Sequence, residues 1–281
     1  MTMSSSKGFL TFAFGEAYLR MAYAQALSIK ASQTNNNYAV VVDEETKKLL
    51  EPKHHLIFDH VITPFEAADE PMKAEWQAYK LTPWDLTIKL DADMLLMSSI
   101  DHWWQHLQNH DMVMSTTAID FRGKKITSRA HRKLFDENHL PDVYTAFMFF
   151  QSGTDSSSVF YYAERFSKAW EEAGIPTVDS KLKTDELFAL CARIVGPEKV
   201  TLPIALPAFV HGKSELWGLG NIPWYEQLYT QWDNDKLRVG HHVQDLPFHY
   251  HHKEWLTDDV IERLERLERH HKESTDRVRS P

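Results

Sequence analysis

A single cysteine, Cys191, is all that the 281-residue chain carries, so an internal disulfide is excluded and a reducing, cytoplasmic compartment is expected. That thiol falls in a helical stretch, where burial and inertness are the default. No stretch approaches the roughly 18 apolar residues of a membrane span. Behind Lys7, the Gly8–Phe14 run imitates a signal peptide faintly, but Glu16 and Arg20 interrupt it and a first strand is expected instead. The sequence has no internal repeat, no long low-complexity tract and no His-Glu-x-x-His or Cys/His set. His102, His106 and His110 share one helix face without further ligands, which reads as an exposed face. Positive charge is in deficit. Lys and Arg number 31 against 40 Asp and Glu, and the formal charge of −9 disfavours a nucleic-acid partner held by its phosphates. What remains is ordinary for a globular enzyme: 43% hydrophobic and 25% charged residues, enough for a substantial core.

Strand-like runs alternate with helical ones along the first third. Phe9–Phe14, Tyr38–Val42, His60–Thr63 and Leu86–Leu90 read as strands, separated by helical stretches at Glu16–Lys30, Glu44–Leu50 and Met72–Leu81. Repeated βαβ units of this kind predict an α/β protein with a mostly parallel sheet covered by helices. Further on, Asp101 is positioned to cap a short helix, Met112–Ser115 and Val143–Phe150 read as strands, and Ser156–Ala173 as a helix stopped by Gly174 and Pro176. Thr184 is placed to cap Asp185–Ile194. One domain over residues 7–255 is expected, then an amphipathic helix over 256–273 and a disordered tail over 274–281.

The most informative stretch is Asp91-Ala92-Asp93, delivered to the end of the Leu86–Leu90 strand. At this i, i+2 spacing the two side chains point the same way and their α-carbons lie about 6.6 Å apart. Both carboxylates then reach one hard divalent cation with bonds of about 2.1 Å. Open α/β sheets bind ligands at strand C-termini, so the pair reads as a metal–diphosphate clamp. The alternative is two exposed aspartates in a turn. The basic run Arg122, Lys124, Lys125, Arg129, Arg132 and Lys133 reads as a solvated face or a loop contacting phosphate or acceptor. Trp217, Trp224, Tyr225, Tyr229 and Trp232 form either an acceptor platform or a packed helix.

Several landmarks stand in a fixed order: Phe9-Leu-Thr-Phe-Ala-Phe-Gly-Glu-Ala-Tyr18, Pro83-Trp84-Asp85, Asp91-Ala92-Asp93 with Ser99-Ile100-Asp101, Asp185-Glu186, and His249-Tyr-His-His-Lys253-Glu-Trp255. Together they resemble the GT-A glycosyltransferases, most closely family 8, the glycogenin and galactosyltransferase-like group. That resemblance implies a GT-A fold and sugar transfer from a UDP-linked donor with Mn²⁺ or Mg²⁺, with retention of configuration. It implies Asp91, Asp93 and His249 as metal ligands, with His251 and His211 as competitors for the last place. Phe12, Ala13, Phe14 and Tyr18 would form the nucleotide loop, Asp43 would contact base or ribose or else cap a helix, and Ala92 and Lys253 would sit by the diphosphate. Asp185 would contact the donor sugar and Glu186 would serve as base or stabilise positive charge. The sequence departs from the pattern at Gly15, at Thr145-Ala146-Phe147 and in the spacing from His249 to Lys253. The acceptor is left open. A non-catalytic sugar- or nucleotide-binding protein and a DNA-base glycosyltransferase stand as alternatives.

Overall fold

Thirteen short strands are present among the described residues. In chain order they are β1 (Lys7–Phe12), β2 (Tyr38–Val41), β3 (His60–Ile62), β4 (Leu86–Leu90), β5 (Met94–Leu95), β6 (Met112–Ser115), β7 (Thr117–Ile119), β8 (Tyr144–Gln151), β9 (Ala208–His211), β10 (Thr230–Asp233), β11 (Lys236–Val239), β12 (His242–Val243) and β13 (Phe248–His249). The computed structural model describes residues 5–68, 70–127, 129, 132–170, 183–204 and 206–279, the last four of these by their backbone alone. A six-stranded sheet runs β3-β2-β1-β4-β8-β6. β1 pairs in parallel with β2 and β4, and β2 with β3, whereas β8 is antiparallel to both β4 and β6. The mostly parallel sheet expected from the βαβ order is therefore present, with β8 the exception. Its central strands are buried on both faces: β4 is Leu-Thr-Ile-Lys-Leu and every residue of it is buried, whereas the edge strand β3 is exposed or partly so. That pattern follows from helices covering both sides of a parallel sheet.

A second sheet, β5-β13-β9-β7, begins three residues after β4 ends. The turn Asp91–Asp93 is thus the seam between two sheets, and the apolar run after Asp93 enters the second. Phe248 and His249 of β13 lie antiparallel to Leu95 and Met94 and parallel to Val210 and His211. Gly212 ends β9 in tight contact with β13: its N–H donates to His249 O at 2.7 Å, and a Cβ there would sit 2.7 Å from that oxygen.

Differences from the sequence expectations have local causes. Glu44–Leu50 is shorter, Glu44–Lys47, and Pro52 starts a separate helix, Pro52–Ile57, that fits its fixed φ at a first turn. Met72–Leu81 divides into Pro71–Ala74, a 3₁₀ turn Glu75–Gln77 and Ala78–Leu81. Asp101 does not cap the helix Trp103–Leu107; its carboxylate accepts from Thr34 N and Asn35 N and ties the turn after the first helix. Thr184 lies inside the helix Thr184–Val195, whose N-cap is Lys183. Of the five rings expected as a platform or a packed helix, Trp224 is fully buried against Trp217, Phe248 and Trp255, so Trp217 and Trp224 are core, whereas Tyr229 is exposed. The helix read over Ser156–Ala173 is described as Thr154–Ala169, and its expected stop at Gly174 and Pro176 falls outside the described residues. The last helix spans Asp258–Arg279, beyond the end of its apolar stripe, and residues 280–281 are outside the described set. Cys191 is buried, and that burial pushes its thiol pKa up. No helix among the described residues is long and apolar enough to cross a membrane.

Candidate active site

The C-terminal end of β4 opens into a cavity of about 450 Å³. Open α/β sheets form such crevices outside the carboxyl ends of their strands. Asp91, Ala92, Asp93, His211, His249, His251, Asp185, Glu186, Tyr18 and Lys253 all line this cavity.

One group among the described residues brings three metal-ligating side chains together. Ligand atoms of Asp93, His249 and His251 all lie within 4.8 Å of one another. Asp93 Oδ1 stands 3.0 Å from His249 Nε2. Two ligands at right angles around a cation with bonds of about 2.1 Å are themselves about 3.0 Å apart, so this edge fits a divalent ion without rearrangement. A carboxylate with two imidazoles suits Mn²⁺ better than Mg²⁺, which prefers oxygen. The His211 ring stacks on His249 at 5.0 Å and 7°, fixing its plane. His251 has φ +61°, a left-handed backbone that histidine tolerates better than most residues and that turns its ring back toward β13.

Protonation follows from the packing. Burial lowers the pKa of His249, but the adjacent Asp93 carboxylate outweighs it and holds the imidazole up at about 9. Burial raises Asp93, yet His249 more than compensates and keeps it ionised. His251 is pushed down to about 4 by burial and by the charge of His249. One proton therefore bridges Asp93 and His249, and His251 stays neutral.

Asp91 has a different partner. Lys89, two residues earlier on the same face of β4, is fully buried, and its ammonium donates to Asp91 Oδ1 at 2.7 Å, Glu75 Oε2 at 2.6 Å and Thr145 O at 3.3 Å. All three ammonium hydrogens are used, as a cation removed from water requires. Burial, opposed by Lys89, raises the Glu75 carboxyl to about 7, with the Asp91 charge adding to the rise. Asp91 is consequently outside the converging group of Asp93, His249 and His251, although it lines the same cavity.

Asp185, which lines the same cavity, is braced on both oxygens. Oδ1 accepts from Thr145 N and Oγ1, each at 2.8 Å, and Oδ2 accepts from Arg132 Nη2 at 3.0 Å. Arg132 is 1% exposed and is sandwiched between Tyr144 and Phe135, its guanidinium carbon 3.8 and 4.2 Å from their centroids. Within the basic run, then, Arg132 belongs to the site. Arg122 pairs with Asp120, and Arg129 with Asp136 and Asp142. Glu186 is 5% exposed, its Oε2 has no hydrogen-bond partner, and burial raises its pKa.

No family model and no curated protein matches the sequence. Solved structures do. The galactosyltransferase LgtC, crystallised with donor and acceptor sugar analogues, superposes with a TM-score of 0.54 at 12% identity, over 93% of this chain and 95% of that one. The glycosyltransferase GlyE of Streptococcus pneumoniae TIGR4 superposes with a TM-score of 0.52 at 9% identity. The match covers 94% of this chain but only 60% of GlyE, so the chain spans well under two thirds of that protein's length. The fold is GT-A.

Within that fold the residues expected at the site divide. Phe12, Tyr18, Asp91, Ala92, Asp93, Asp185, Glu186, His249 and Lys253 line the cavity, as do His211 and His251. Ala13 and Phe14 are buried in the core and Asp43 is a helix cap, its Oδ1 accepting from Thr46 N at 2.7 Å; none of these three lines it. Lys253 Nζ sits 3.9 Å from the centroid of the Tyr18 ring. Sequence reasoning missed Glu75 and Lys89, and named Arg132 only as one member of the basic run. A lysine inside a strand of otherwise uncharged residues was the available signal, because such a position is buried and obliges a partner.

Proposed function

We propose that this chain is a metal-dependent glycosyltransferase, family 8-like, moving a sugar from a UDP-linked donor to an acceptor with retention of configuration. The observation that carries this reading is the convergence of Asp93, His249 and His251 at the sheet seam, inside one cavity with Asp91, Asp185 and Glu186. Those first three residues would hold a Mn²⁺ or Mg²⁺ ion. Bound there, the ion supplies a Lewis acid for the charge that grows on the β-phosphate as the sugar leaves.

The chain's own groups take the remaining tasks. The Tyr18 ring offers a face to the uracil, and Lys253 beside it brings a point charge to the diphosphate. With both oxygens engaged by Thr145 and Arg132, Asp185 serves as a rigid acceptor for sugar hydroxyls and not as a proton acceptor. That bracing supports retention, in which acceptor attack and phosphate departure share one face and no dedicated base is needed. Glu186, nearly buried, stands by to stabilise positive charge developing on the sugar ring. A panel of nucleotide sugars tested by thermal shift, with and without Mn²⁺, examines the reading directly. UDP-sugars are expected to raise the melting temperature only with Mn²⁺ present; no response to any nucleotide under either condition would overturn it.

A further inference from the structure

The buried lysine two residues before the metal-side aspartate is unusual enough to require a reason. Lys89 has no exposed surface, sits in an otherwise uncharged strand, and bonds Asp91 Oδ1 at 2.7 Å while Glu75 takes a second hydrogen at 2.6 Å. Asp91 in turn faces the same cavity as Asp93, with 29% of its side chain exposed. A carboxylate already paired with a fixed ammonium has less charge to give a second cation, and the ammonium itself repels that cation at this range. We propose that Lys89 is a positioning residue, a resident cation that competes with the metal for Asp91, so that the ion is held firmly only when a nucleoside diphosphate arrives with it. The inference rests on the metal-dependent reading above.

The consequence is reciprocal. If Lys89 weakens the site toward the bare ion, the diphosphate oxygens supply what Asp91 withholds, and ion and nucleotide each strengthen the other's binding by the same factor. Glu75 sets how strongly Lys89 acts, because it shares the ammonium. Its removal concentrates that charge on Asp91, whereas removal of both partners frees Asp91.

These two changes have opposite signs, which a purely structural ion pair would not produce. Lys89→Met alone leaves the buried Glu75 and the partly exposed Asp91 without a cation and is at risk of misfolding. The pair Glu75→Met with Lys89→Met exchanges a buried ion pair for packed apolar side chains of similar length, which proteins commonly tolerate. Binding of Mn²⁺ alone, followed by electron paramagnetic resonance, should tighten on the order of tenfold in the double variant, and the mutual gain between Mn²⁺ and UDP should shrink by the same factor. In Glu75→Gln, Mn²⁺ alone should bind several-fold more weakly than in the unaltered protein. Unchanged or weaker Mn²⁺ binding in the double variant, with the unaltered protein binding Mn²⁺ in the presence of UDP, would overturn the inference while leaving the proposed function standing. Failure of the unaltered protein to bind Mn²⁺ even with UDP would overturn both.

Discussion

Asp91 and Asp93 are separated by one alanine, yet they belong to different sheets and to different chemistry. Asp91 closes the six-stranded sheet and meets an ammonium fixed on its own strand; Asp93 opens the four-stranded sheet and meets imidazoles from the far end of the chain. The first carboxylate is committed before any ligand enters. The second is shared with one proton, which a metal can displace. A spacing that suggests two equivalent carboxylates thus yields one set among imidazoles and one already paired with an ammonium, and the cause is what lies behind each.

The sharpest way to break this comparison is Asp93→Asn. Loss of the accessible carboxylate should remove the Mn²⁺-dependent stabilisation by UDP and lower turnover by on the order of 10³-fold, since a Lewis acid contributes several kcal/mol to such a transition state. Normal turnover in that variant would strike Asp93 from the site. Arg132→Leu tests the braced wall. It leaves Asp185 Oδ2 without its cation in a half-buried place, and chemical denaturation should register a loss of about 3 kcal/mol, with kcat falling while the affinity for UDP holds. Equal losses in both would mean that Asp185 does not act on the sugar.

The pH dependence of ion binding sharpens the contrast between His249 and His251. In the metal-free protein His249 is raised to about 9 by Asp93 despite its burial, so a proton must leave it, while His251, lowered to about 4, has none to lose near neutrality. Mn²⁺ affinity measured between pH 6 and 8 should therefore rise about tenfold per unit, the slope of one proton and not two. Stability without metal runs the other way. A histidine whose folded pKa lies above its unfolded value of 6.5 stabilises fully below 6.5 and ceases to do so as pH rises through about 9. Smallest in effect is Gly212→Ala. Its Cβ would press on the carbonyl oxygens of His249 and Tyr250, shifting β13 by tenths of an ångström and weakening Mn²⁺ binding by about tenfold, with the fold retained.

Much of this arrangement was legible before any coordinates. The runs that became β1 to β4 are bounded by turn residues and alternate with helical stretches, so a mostly parallel sheet follows from pattern alone, and the strand end and the ordered landmarks single out Asp91, Asp93 and His249, which line one cavity. Hidden were the contacts that depend on long-range pairing. Arg132 sits in a run of exposed-looking basic residues, and nothing local distinguishes the one that is buried against Tyr144. Glu75 resembles any acid in a helical stretch until β4 is seen to carry Lys89 past it. His251 was named only as a competitor of His249; that both rings approach Asp93 depends on the left-handed backbone of His251, and the two-residue β13 is too short to leave a periodic signal.

The final helix, Asp258–Arg279, lines no part of the cavity but is tied to the first helix. Arg20 reaches from the first helix to Leu256 O at 3.0 Å and to Asp258 at 2.9 Å, and Tyr23 bonds Glu265 at 3.0 Å. These links buckle the end of the polypeptide to its beginning, just beyond Lys253 on one side and Tyr18 on the other. Cutting the chain after Trp255 would undo the buckle and bare the side of the first helix that the last one covers, while β13 would keep its pairing with β5 and β9.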